Sequence, residues 1–81
     1  MQEEVLRLIV AMAILRSDTK DFWLLRDIKQ RVTDEINAKY VIGEFLIDVR
    51  EVFGLIQVTL FTNHCNEVIT TIVSVVKPPN E

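Results

Sequence analysis

The chain has 81 residues, 49% of them hydrophobic and 26% charged, with a mean hydropathy of +0.25. That length supports one domain on a single core, and so high an apolar fraction argues against a disordered chain. A net charge of −3 and a pI near 5.1 leave no overall basic surplus of the kind that phosphate-binding domains use.

Residues 3–16 read as a helix. Val5, Leu8, Ile9 and Met12 recur at helical spacing, and Glu3 and Glu4 suit its positive N-terminal end. Leu6, Val10, Ala13 and Ile14 make the opposite side apolar too, so the helix is expected to be covered on more than one side. Two readings stay open: a central core helix, or a self-association surface formed by Leu6, Val10 and Ile14. The apolar run Leu8 to Leu15 comes after two glutamates and precedes Arg16 and Ser17. It lacks the basic start and cleavage site of a signal peptide and is too short to span a bilayer.

Ser17 to Lys20 is a polar break, and Phe22 to Leu25 a short apolar segment. Arg26 to Val32 is expected as a short helix, Thr33 to Asn37 as a turn, and Asn37 as the N-cap of the next helix. The spacing of Ile42, Phe45, Leu46, Val49, Val52 and Phe53 predicts that helix over residues 38–53, with Gly54 as its stop. After Gly54 the period changes to two. Ile56, Val58 and Leu60 alternate with Gln57, Thr59 and Phe61, and residues 68–76 are rich in β-branched side chains. Asn63 to Asn66 is a hairpin loop between them. Residues 1–77 form one domain on this reading, and 78–81, beginning Pro78-Pro79, a flexible tail.

The order helix, short helix, turn, helix ending in Gly-Leu-Ile, then hairpin resembles the winged helix–turn–helix superfamily. The residues that carry the likeness run from Leu24 to Ile56 and include Val49, Arg50, Gly54, Leu55 and Ile56. The resemblance implies an α+β fold of three helices followed by a two-stranded wing. It also implies a recognition helix that would present Asn37, Lys39, Tyr40, Gly43, Glu44 and Ile47 to a DNA groove. This sequence departs from a DNA reader, however. Glu44, Asp48 and Glu51 would oppose phosphates, and the wing tip has no arginine or lysine.

Catalytic motifs are missing. His64 and Cys65 are adjacent, but no other histidine or cysteine exists to complete a metal site, and one cysteine allows no intrachain disulfide. No phosphate-binding glycine loop is present, with only Gly43 and Gly54 in the chain. Trp23 reads as packing. Arg26, Lys29 and Arg31 are the best phosphate-contact candidates, weighed against an ordinary solvated helix face. The expectation is therefore a non-catalytic module of a DNA-transaction machine, intracellular (cytoplasmic or nuclear), with no cofactor and no small-molecule substrate. It would contact mainly protein, or a second copy of itself as a homodimer. The alternative is a dimeric DNA-binding regulator reading DNA through helix 38–53.

Overall fold

The computed structural model describes residues 1–15 and 25–76. Helix α1 spans Glu3–Leu15 and helix α2 spans Leu25–Lys39. Three strands come next, β1 at Phe45–Val52, β2 at Leu55–His64 and β3 at Glu67–Val76. They form one antiparallel sheet in the order β1-β2-β3. The class is α+β, but the expected architecture of three helices and a two-stranded wing is overturned. The segment 16–24, with the polar break and Trp23, lies outside the described residues, as do residues 77–81.

Helix α1 forms where the sequence places it. Leu6, Ile9, Val10, Ala13 and Ile14 are buried within a single chain. Leu6, Val10 and Ile14 lie in the chain's own interior, the position of a core helix, and not on an exposed face.

Helix α2 runs straight through the expected turn at 33–37. Ile28, Val32 and Ile36 recur every four residues and are all fully buried, so tertiary packing holds the period across the polar residues between them. Local bonds reinforce it. Thr33 Oγ1 donates to the Lys29 carbonyl at 2.8 Å, Gln30 Nε2 to Asp34 at 2.9 Å, and Lys39 pairs with Glu35 at 3.1 Å. The helix closes with the Tyr40 amide on the Ile36 carbonyl at 2.9 Å. Asn37 therefore lies inside α2, two residues before its end, and caps nothing.

The predicted helix 38–53 is the largest correction. Beyond Lys39 it is loop and then strand β1. Ile47 pairs with Leu60, and Val49 with Val58, along a regular ladder to β2. Gly54 acts as a hairpin turn instead of a helix stop. Phe53 (φ 50°) and Gly54 (φ 77°) are the two residues between Val52 and Leu55, the geometry of a tight hairpin whose twist matches its strands. Cys65 (φ 52°) and Asn66 (φ 65°) make the second such turn, between His64 and Glu67. The second hairpin falls where the sequence pattern predicts it, but its loop is shorter than the expected Asn63 to Asn66: Asn63 and His64 extend β2 and pair with Val68 and Glu67.

Both helices lie on one face of the sheet, α1 against β3 and α2 against β1. Ile47, Ile56, Val58, Leu60 and Val73 point into that layer and are buried. Each such aliphatic side chain contributes roughly 1.5–3 kcal/mol. Thr71 Oγ1 donates to the Met1 carbonyl at 3.3 Å, tying the start of the chain to β3.

Candidate interaction surface

Alternation along the strands divides the sheet into two faces. The face away from the helices carries Leu46, Asp48, Arg50 and Val52 on β1. It continues with Leu55, Gln57, Thr59, Phe61 and Asn63 on β2, then Val68, Thr70, Ile72, Ser74 and Val76 on β3. No described element covers it. Leu46 is 72% exposed, Val68 69%, Val76 72% and Ile72 49%.

The pairing orders these residues in rows. Leu46 lies beside Phe61, and Val52 beside Leu55, which is beside Val76. Between these two apolar ends runs a polar band of Arg50, Gln57 and Ser74. Thr59, on the central strand between Asp48 and Ile72, is buried by its neighbours. At the first turn Phe53 is fully exposed, an aromatic ring held beyond the sheet by a backbone in the left-handed region, where side chains other than glycine and asparagine are strained.

An open groove of about 730 Å³ lies between α2 and the start of β1. Lys29, Thr33 and Asn37, spaced by four on α2, form one wall. Residues 43–47 and Phe61, Thr62, Asn63 and Val68 supply the rest. The structure thus gathers Lys29, Asn37, Glu44 and Ile47 from the sequence-based candidates. Their roles differ from those expected: Ile47, read as an outward apolar residue, is only 4% exposed and belongs to the core.

Arg26, Arg31, Lys39 and Tyr40 do not line the groove. Arg26 is exposed and lies 3.8 Å from Asp27, while Lys39 is held by Glu35. Arg26, Lys29 and Arg31 are exposed positions of α2, but no recognition helix comes after them to work with them. Cys65 is exposed at the second turn, and no group of three or more potential metal ligands occurs among the described residues. No described helix is long and apolar enough to cross a membrane.

Sequence reasoning missed Leu46, Phe53, Phe61, Val68 and Ile72 as surface candidates. The available signal was the alternation Phe45, Ile47, Val49 against Leu46, Asp48, Arg50, which the helical reading of the same stretch obscured. Comparison with protein-family models, with curated proteins and with solved structures finds no match to this chain.

Proposed function

We propose that this domain is a non-catalytic interaction module that contacts another protein through the outer face of its sheet. One observation carries the reading: a complete sheet face, apolar at both ends, has no described element over it, while both helices pack on the other face. Contiguous apolar surface rimmed by polar groups is the usual mark of a protein contact. The complementary chemistry is a partner surface with two apolar patches and hydrogen-bonding groups between them. The first patch would meet Leu46, Phe61 and Val68, the second Val52, Leu55 and Val76.

The DNA-regulator alternative depended on helix 38–53 as reading element, and a strand in that place leaves it without one. The DNA-transaction setting came with the winged-helix resemblance, which rested on the same residues, and it forms no part of the proposal.

A photoreactive side chain placed at Leu46, with a control at Gln30 on the exposed surface of α2, tests the reading in cells that make the protein. A discrete protein adduct from position 46 and none from position 30 is expected. Equal labelling from both positions, nucleic-acid adducts, or no adduct from position 46 would overturn it.

A further inference from the structure

The two edges of the sheet differ in chemistry. Strand β1 carries Asp48, Arg50 and Glu51, and Asp48 and Arg50 are ion-paired at 2.7 Å. Charges of this kind are how exposed edges are kept from pairing with other chains. Strand β3 has no such protection. From Val68 to Val76 it reads VITTIVSVV, nine residues without a charge, a proline or a glycine. Among the described residues it is paired only on its β2 side.

An edge this long, uncharged and β-branched is a template for another strand. We infer that β3 is the pairing edge of a homodimer, in which two copies of the chain join their β3 strands antiparallel about a two-fold axis at Ile72 into one six-stranded sheet.

The sequence of the strand is self-complementary in that register. Ile72 meets its own copy, Thr70 meets Ser74, and Val68 meets Val76 on the outer face. On the helix-covered face Ile69 meets Val75 and Thr71 meets Val73. Each outer pair joins apolar to apolar or hydroxyl to hydroxyl, the pairings that stabilise adjacent strands.

Charge selects the direction. The single described charge on the strand is Glu67, at its first position. A parallel arrangement would set the two Glu67 carboxylates side by side. The antiparallel one sends them to opposite ends of a ten-residue strand, roughly 30 Å apart at about 3.4 Å per residue.

The pairing also makes a larger surface. The Val76 end of one copy adjoins the Val68 end of the other, so the apolar patches of the two outer faces become continuous across the seam. The inference does not depend on the proposed protein contact, because it uses the edge of the sheet and leaves the outer face open. A single strand pair is small beside stable interfaces, which bury roughly 1,200–2,000 Å², so the dimer should dissociate on dilution.

Sedimentation equilibrium of the full chain across a wide concentration range tests this, with a Cys65→Ser chain as background for cysteine cross-linking. The expected result is a reversible shift from the 9.4 kDa chain to twice that mass. Ile72→Lys, at an exposed position, should return the folded protein to a monomer, whereas Leu46→Lys on the other edge should leave the dimer intact. Under mild oxidation Ile72→Cys should cross-link to itself. Val68→Cys should cross-link only when mixed with Val76→Cys, since directly opposed residues lie about 4.5–5.5 Å apart between Cα atoms. If Ile72→Lys fails to fold, the cross-linking pattern decides. A monomer at every concentration, open-ended polymers, a dimer unaffected by folded Ile72→Lys, or a different cross-linking register would overturn the inference.

Discussion

Asp48 accepts a 2.7 Å hydrogen bond from Nε of Arg50, two residues further along β1 and on the same face of the sheet. Both side chains are well exposed, at 43% and 71%. A pair so open to water contributes little to stability, roughly 0–1 kcal/mol. It sits on an edge strand, and charges there are a common means of keeping a second chain from adding to a sheet. Replacing both residues by valine should therefore leave the urea midpoint nearly unchanged and bring on open-ended aggregation. Light scattering at rising concentration would register the change. Constant scattering, or a large loss of stability, would show that the pair has some other role.

Helix α2 offers a direct test of the corrected helix boundary. Ile36 is fully buried and Asn37, the next residue, is exposed. Ile36→Ala should cost about 2–5 kcal/mol, as a buried aliphatic truncation does. Asn37→Ala should change stability by no more than about 0.5 kcal/mol, the usual range for surface positions. An N-cap at Asn37 would instead make the second change cost about 1 kcal/mol. Denaturant titration of the two variants separates the alternatives.

The same contrast explains what was legible in the sequence. Helix α1 could be read from its helical spacing and acidic first turn, β2 from its alternation, and β3 from its run of β-branched residues. Residues 42–53 could not be settled locally, since Ile42, Phe45, Leu46, Val49 and Val52 fit helical spacing while Phe45, Ile47 and Val49 fit a strand. The deciding interaction is the ladder to β2, in which Ile47 lies opposite Leu60, and contacts at that separation have no local signature. Gly54 was equally ambiguous, because a positive φ serves both the end of a helix and a tight hairpin. In α2 the polar run Thr33 to Asn37 has turn chemistry, yet Ile28, Val32 and Ile36 override it by packing. The outer sheet face was hidden for the same reason as β1: without the strand there is no face.

Leu6 and Val10 give the third prediction. Both are fully buried in the core against the sheet and α2. Replacing either with glutamate should unfold the chain, because an unpaired carboxylate in an apolar core is strongly destabilising. Far-UV circular dichroism would track the loss. A folded monomer from either change would mean that these residues face a partner.

Phe53 sits in the left-handed region at the first position of its turn, fully exposed and immediately before Gly54. Asparagine tolerates that conformation, and Asn-Gly is the preferred pair for such a turn. Phe53→Asn should thus stabilise the domain by about 1 kcal/mol. That corresponds to an increase in Tm of roughly 4–8 °C for a domain of this size. If the ring contacts the partner, the same change should weaken binding while the fold becomes more stable. A drop in Tm would show that the ring packs against the domain.

The most direct test of the account is the labelling of two adjacent positions on β1 with a thiol reagent. Leu46→Cys and Ile47→Cys, each with Cys65→Ser, place one thiol on the outer sheet face and one in the core. Labelling of the purified protein should be fast at position 46 and slow at position 47, as the 72% and 4% exposures require. In extract from cells that make the protein, labelling at position 46 should slow several-fold as the partner covers the face, with position 47 unchanged. Equal rates at the two positions in the purified protein would contradict the strand, and an unchanged rate at position 46 in extract would contradict the proposed contact.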